Sequence, residues 1–145
     1  MSSPSPQLQE LAAQLEEIEK QRNALELEID RMEETKEEID EAIDAVAELE
    51  SGSTVQVPVG GGAYVRATVE EIDEIIVELG ADYAAERDRE GATDTLEAKQ
   101  ETLDERIEEL RSEIATLESK SQELEGRLEG MRAQQLQQLQ GRGDE

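Results

Sequence analysis

Two long tracts of the chain have apolar residues at alternating spacings of three and four, the pattern of a helix with one apolar stripe. The first tract fits a heptad repeat whose a and d positions are Leu8, Leu11, Leu15, Ile18, Arg22, Leu25, Ile29, Met32, Lys36, Ile39, Ile43 and Val46. Arg22 and Lys36 interrupt the stripe, and nearly all other positions are polar. Such a tract predicts a coiled-coil helix. Ser5-Pro6 supplies an N-cap and a first-turn proline, and Ser51-Gly52-Ser53 ends the element, so the helix is predicted over residues 6–50.

A second heptad tract occupies the C-terminal half. Its a and d positions are Leu96, Gln100, Leu103, Ile107, Leu110, Ile114, Leu117, Ser121, Leu124, Leu128 and Met131. The register falters after Met131, where Leu136 and Leu139 leave the stripe. Either Asp88 or Asp94 is a suitable N-cap, and Asp94 has a glutamate three residues later, as in a capping box. The second helix is predicted over residues 89–140, followed by a disordered tail, 141–145.

The segment between the helices reads as two β-hairpins. Residues 54–59 alternate apolar and polar, a run of glycines follows, and residues 63–69 again place Val and Ala on one face. Pro58 confines its strand to a sheet edge or a strand end. Residues 74–79 form a third candidate strand, and a turn at 80–82 leads into residues 83–87. The hairpin region is therefore predicted over residues 54–87.

Two helices of similar length joined by a compact insert can pack antiparallel along their stripes. The predicted fold is mainly α: one domain over residues 1–145, a long antiparallel two-helix coiled coil with two β-hairpins between the helices. The hairpins then lie at the base, and both chain ends meet at the tip. The heptads fit two registers. We favour the one that places Leu15 opposite Leu124 and Leu8 opposite Met131, because it also places Ser51 opposite Asp88 and so starts both helices at the base together. The alternative places Leu15 opposite Met131.

The apolar faces of the strands have too little of this chain to pack on. A two-stranded hairpin is marginal in water, and additional strands are needed for independent stability. We therefore expect these faces to join strands of other subunits. The residues predicted to mediate subunit assembly are Val55, Val57, Val59, Val65, Val69, Ile75, Val77 and Leu79.

The composition excludes most catalytic chemistry. The chain has no Cys and no His, so it has neither a disulfide nor a thiolate nor a histidine base. A net charge of −25 argues against binding a nucleic-acid backbone, which requires clustered basic residues. We predict that the chain is not an enzyme and has no catalytic residue, cofactor or metal site. With no apolar span and no signal-peptide pattern, we expect a cytoplasmic protein that does not bind membranes.

Two sequence features resemble ligand sites but have simpler interpretations. Acidic runs such as Glu37-Glu38 and Glu70-Glu71 lack the spacing of a calcium loop, and they read as solvated surface. The glycine run at 60–62 is not followed by Lys and Ser/Thr as a phosphate-binding loop would be, and it reads as a hairpin turn.

The distribution of charge indicates adaptation to salt. Lysine occurs only at positions 20, 36, 99 and 120, and like charges recur four residues apart, as in Asp30/Glu34 and Glu105/Glu109. Each such pair destabilises a helix mildly at low salt. The pattern resembles proteins of salt-in halophilic archaea, although an ordinary solvated face is the alternative interpretation.

The chain from Leu8 to Leu139 resembles the alpha class of archaeal prefoldins. The resemblance lies in the two heptad tracts, the Val57-Pro58-Val59-Gly60 turn leading to Tyr64-Val65, and the Ile76–Gly80 strand end before Tyr83. Two hairpins match the alpha class, whereas one matches the beta class. The resemblance implies a hexamer of two alpha and four beta subunits with a β-barrel platform and six coiled-coil tentacles. It also implies an ATP-independent holdase that captures unfolded proteins and delivers them to a group II chaperonin.

The ends of the two predicted helices are the candidate client-binding tip. Fraying there would expose adaptable apolar surface, which suits promiscuous binding, whereas the alternative is that these are plain seam residues. The tip set comprises Leu8, Leu11, Leu15, Leu124, Leu128, Met131, Leu136 and Leu139. Two other functions also use a long coiled coil. A structural coiled-coil scaffold or tether remains an alternative. A transcript-cleavage factor is disfavoured because its finger ends in a tight loop rather than in chain termini.

Overall fold

The computed structural model describes residues 5–143, with side chains up to residue 141. Two long helices flank four short strands along the chain, which confirms the predicted fold class. The elements are α1 (Pro6–Glu48), β1 (Thr54–Gly60), β2 (Ala63–Thr68), β3 (Ile75–Gly80), β4 (Tyr83–Arg87) and α2 (Arg89–Gly143). The chain divides into two compact units. The first unit comprises the residues up to Arg31 and those from Arg106 on, and the second is Met32–Glu105.

Both helices begin at side-chain caps. The Ser5 hydroxyl accepts a hydrogen bond from the amide of Leu8 at 3.2 Å, and Asp88 Oδ1 accepts one from the amide of Gly91 at 2.7 Å. Asp88, not Asp94, is therefore the N-cap of α2. The structure ends α1 at Glu48, two residues before the predicted end, and extends α2 to Gly143. Residues 144 and 145 of the predicted tail lie outside the described residues.

The apolar stripes of both helices form the interior of each unit. In the first unit the buried seam residues are Leu8, Ile18, Ile29, Ile107, Leu110 and Leu124. In the second unit Ile39, a d position of α1, is buried. Full burial of such a side chain contributes ~1.5–3 kcal/mol, so a seam one residue wide must be long to hold two helices together.

Polar contacts across the seam of the second unit fix the helix register. The amide of Gln100 donates to the carbonyl of Lys36 at 3.2 Å and to Asp40 Oδ1 at 2.6 Å. The Lys36 ammonium forms an ion pair with Asp104. These contacts place Gln100 opposite Ile39, as in the favoured register. The alternative register moves one helix by a heptad, about 10 Å at ~1.5 Å per residue, which these contacts do not permit.

The two hairpins share one backbone plan. In the first, β1 and β2 are antiparallel with Val57 opposite Val65, and the register shifts between Pro58 and Gly60. In the second, β3 and β4 are antiparallel with Val77 opposite Ala85, and the same shift lies between Glu78 and Gly80. An extra residue in one strand is a β-bulge, which bends the strand and turns its side chain away from the regular alternation.

Three consecutive residues with positive φ form each turn. The values are 107°, 60° and 81° for Gly60, Gly61 and Gly62, and 103°, 50° and 65° for Gly80, Ala81 and Asp82. Positive φ at both central residues is the geometry of the type I′ hairpin turn, whose twist matches the flanking strands. The second hairpin therefore has the same turn with two non-glycine residues in the left-handed region, where Asp is tolerated better than Ala.

Burial distinguishes the two hairpins. Val77 is 5% exposed, whereas Val57, at the equivalent position of the first hairpin, is 44% exposed. The expectation that every strand face lacks intrachain cover is therefore wrong for Val77. Leu79, on the same strand, lines a groove together with Ile39 of α1 and Leu103 of α2. The second hairpin thus has a cover of its own within the second unit.

Backbone geometry predicts opposite effects of alanine at two glycines, one in a hairpin turn and one inside α2. A Cβ at either Gly80 or Gly126 meets no atom within 4 Å, so backbone conformation alone distinguishes them. Gly80→Ala places a side chain at a φ of 103° and should destabilise the chain by ~1–3 kcal/mol. Gly126→Ala, inside α2, should stabilise it by ~0.5–1 kcal/mol. Thermal unfolding followed by circular dichroism measures both, and shifts of the same sign would contradict the turn assignment.

The charge distribution predicts that salt stabilises the helices. At 1 M salt the Debye length is ~3 Å, which screens the like-charge pairs along each helix. We expect helicity to rise with KCl up to molar concentration. A circular dichroism titration checks this, and a titration in which sodium perchlorate at equal ionic strength replaces KCl separates screening from specific ion effects. A signal that stays flat from low to molar salt would exclude the halophilic interpretation.

Candidate functional site

The residues predicted to mediate assembly lie in the second unit with unequal exposure. Val57, Val59, Val65 and Leu79 are exposed, Val55, Val69 and Ile75 are half-buried, and Val77 is buried. Val57 and Val65 are cross-strand partners, so their side chains form one apolar patch on the first hairpin. This patch is a part of the predicted set that is open to solvent within the chain.

Three exposed side chains of the hairpins are missing from the predicted assembly set. They are Ile76, Tyr64 and Tyr83, and Ile76 is 74% exposed. Ile76 follows β-strand alternation, because it lies on the face of β3 opposite the buried Val77. Both tyrosines lie beside a hairpin turn, in positions where an aromatic ring is a frequent interface anchor. The position of each tyrosine beside a predicted turn was the sequence signal that could have identified it.

Hydrogen bonds join the base ends of the two helices and the segments that lead into the hairpins. The Arg89 guanidinium, at the start of α2, donates to the carbonyl of Ala47 in the last turn of α1 and to that of Leu49 just after it. Carbonyls in the last turn of a helix lack a partner within the helix, so the cation caps α1. The Ser51 hydroxyl accepts from the amide of Ile72 at 3.1 Å. The amide of Val69 donates to the carbonyl of Ser53 at 2.9 Å.

The tip set lies in the first unit, where the N-terminal end of α1 meets the C-terminal part of α2. Leu8 and Leu124 are buried in the seam, whereas Leu11, Leu15, Leu128 and Met131 are half-buried. Leu136 and Leu139 are exposed, the latter by 63%. Part of the set therefore holds the helices together, and part presents apolar surface to solvent.

The surface of the first unit carries two grooves near these residues. One is lined by two apolar residues, Leu11 and Met131, and by Gln7, Glu10, Gln14, Arg127, Gly130 and Gln134. We name it the terminal groove. The other contains Leu15, Ile18, Arg22, Ser121 and Leu128, and four glutamates line it. Arg22 lies there with its Nε 4.0 Å from Glu26 Oε1, and that nitrogen has no hydrogen-bond partner among the described residues.

The described residues include no group of three or more acidic side chains placed to hold a metal ion. Across residues 5–143, no helix is both long and apolar enough to cross a bilayer. The surface features of the described residues are thus an exposed apolar hairpin patch in the second unit and grooves at the helix ends in the first.

Comparisons with known proteins agree with this geometry. Residues 11–138 match the family model described as a prefoldin subunit. The prefoldin subunit alpha of Haloarcula marismortui is 49% identical over 109 residues, which cover 75% of this chain and 71% of that protein. The corresponding protein of Halorubrum lacusprofundi is 60% identical over 76 residues, or 52% of this chain and 50% of the relative.

Solved structures show the same architecture. A chain of the filamentous prefoldin of Methanocaldococcus jannaschii matches with a TM-score of 0.70 and 28% identity, over 79% of this chain and 97% of that chain. The prefoldin beta subunit of Thermococcus strain KS-1 matches with a TM-score of 0.60 over 90% of this chain and 96% of that one. At 21% identity, this second likeness shows the fold alone. With a family model that spans most of its length, the chain belongs to the prefoldin family.

Proposed function

We propose that this chain is the alpha subunit of a cytoplasmic, ATP-independent holdase that binds unfolded proteins and delivers them to a group II chaperonin. In this proposal two alpha subunits assemble with four beta subunits. The observation that carries the proposal is the presence, in one chain, of an exposed apolar hairpin patch and of exposed leucines at the helix ends. The first suits assembly, and the second suits client binding.

The hairpin patch supports assembly with other prefoldin subunits. Val57 and Val65 face solvent as a pair, and β1 and β2 form a sheet of two strands only. Each of these strands leaves one edge without a partner within its sheet, which is a template for another strand. A partner that adds strands would cover both the edge and the apolar face.

The helix ends support the binding of unfolded segments. Leu136 and Leu139 are exposed, and Leu11, Leu128 and Met131 are half-buried beside them. Burial of one leucine is worth ~1.5–3 kcal/mol, so a few of them account for micromolar affinity. Leucine and methionine side chains adapt to many apolar shapes, which suits a binder of many clients.

A pull-down in molar salt tests the partners. The tagged chain should recover a second small coiled-coil subunit and a chaperonin. Recovery of neither, with a soluble and folded bait, would favour a scaffold or tether that binds no client.

The hairpin patch predicts a specific assembly defect. Val57→Asp should abolish hexamer formation and leave the helicity of the chain unchanged, because Val57 is exposed within the chain. Gln56→Asp introduces the same charge on the opposite face of β1 and is the matched control. Light scattering after mixing with the beta-type partner measures assembly. A Val57→Asp chain that assembles as well as the control would exclude this face.

Val77→Asp should act differently from Val57→Asp. Val77 is 5% exposed within its own chain, so a carboxylate there is buried without a partner and costs several kcal/mol. We expect a lower melting temperature of the isolated chain in addition to loss of assembly. An unchanged melting temperature would show that the second hairpin does not rest on its own unit in solution.

Removal of the helix ends should separate client binding from assembly. We expect a chain lacking residues up to Leu15 and from Leu124 on to form the hexamer, because the hairpins and the seam from Ile18 to Val46 remain. The truncated complex should no longer suppress aggregation of an unfolded client, measured by turbidity. If an assembled truncated complex protects the client fully, the binding surface lies elsewhere, on the inner walls or on the beta subunits.

A further inference from the structure

The terminal groove has an unusual balance of charge for this protein. The chain carries a net charge of −25, yet the ionisable groups that line this groove are one glutamate and one arginine. Arg127 is held by Glu123 of the preceding turn, with 3.1 Å between Nη2 and Oε1. The neighbouring groove has four glutamates and one arginine in its lining. The terminal groove is thus close to neutral where its surroundings are strongly acidic.

Three glutamines supply most of the polar lining of the terminal groove. Gln7 and Gln14 come from α1, and Gln134 comes from α2. An amide side chain offers both a carbonyl acceptor and an N–H₂ donor, the same pair of functions as a peptide bond. Such groups beside the apolar Leu11 and Met131 complement an extended main chain, which presents donors and acceptors whatever its side chains are.

Gly130 is one of the residues that line this groove. It lies inside α2, where glycine is less favourable than alanine. A Cβ at this position meets no atom within 4 Å, so no packing within the chain requires glycine there. The absence of a side chain at Gly130 leaves space in the groove that a larger residue would take. Beyond the groove, residues 133–141 carry no charge and expose Leu136 and Leu139.

We infer that the terminal groove binds the main chain of an extended segment of an unfolded polypeptide, through the amides of Gln7, Gln14 and Gln134. This inference rests on the proposed function and specifies what part of the client is recognised. The leucines and Met131 contribute apolar contact that varies from client to client. The amides contribute hydrogen bonds that do not, because every polypeptide presents them.

Substitution of methionine for glutamine distinguishes main-chain recognition from apolar recognition by its sign. In the assembled full-length complex, Gln14→Met and Gln134→Met together remove two amides and enlarge the apolar surface. If the amides bind the main chain, affinity falls, by about fivefold for each hydrogen bond of ~1 kcal/mol. If only apolar contact matters, affinity rises. Gln9→Met, on an exposed position of α1 outside the groove, is the matched control and should change affinity less than about twofold.

The probe is a short fluorescent peptide of leucine, serine and glycine, together with an analogue N-methylated at alternate residues. Fluorescence anisotropy in molar KCl gives the affinity. N-methylation removes main-chain donors and leaves the side chains unchanged, so it should weaken binding to the unmodified complex. The loss should be smaller in the double Gln→Met variant, because interacting groups are not additive.

Filling the groove is an independent test. Gly130→Leu should weaken peptide binding about tenfold if the side chain occupies the place of the peptide, whereas Gly126→Leu, one turn earlier and outside the groove, should not. Both should raise helicity, because leucine favours a helix over glycine. Equal affinities of these two variants, or tighter binding by the Gln→Met variant, would overturn the inference and leave the proposed function intact. An unmodified complex that binds no peptide and prevents no aggregation would instead refute the proposed function.

Discussion

The narrow apolar seam between α1 and α2 is the interaction on which the rest of the molecule depends. Each helix contributes one stripe, and almost everything outside the stripe faces solvent. Such a seam gives stability in proportion to its length, and it is equally apolar in more than one register. Polar residues resolve the ambiguity: Gln100 bonds to both Lys36 and Asp40, and Lys36 pairs with Asp104. The interruptions of the stripe thus specify alignment, a frequent role of polar seam residues.

Because so little of each helix is buried, surface composition is free to serve other needs. The chain can carry 39 acidic residues without placing a carboxylate in its core, since none of the buried residues among those described is charged. The same freedom allows the surface around the terminal groove to be close to neutral in charge. Glutamines line the terminal groove at positions that flank the seam, where glutamates line its acidic neighbour. This difference in surface charge leaves the apolar seam itself unchanged in character.

Sequence periodicity was sufficient to predict the helices and the hairpins, but not how far each side chain is buried in the folded chain. A heptad identifies buried positions because burial follows helix geometry, and glycine turns identify hairpins because positive φ restricts the residue type. Alternation treats Val57 and Val77 alike, yet Val57 is exposed and Val77 is buried. Asp88 and Asp94 are equally good caps until the Gly91 amide is placed. Gln14 and Gln134 read as solvated positions, and only helix pairing brings them to one groove.

The location of the aromatic side chains has a consequence for spectroscopy. The chain has no Trp and no Phe, and its two tyrosines, Tyr64 and Tyr83, both lie exposed beside hairpin turns. Near-ultraviolet absorption and intrinsic fluorescence therefore originate entirely in the hairpins, while the helices dominate the far-ultraviolet dichroism. Spectroscopy can therefore follow the hairpins and the helices separately. Covering the hairpins changes the tyrosine signal, whereas a change confined to the helices leaves that signal unchanged.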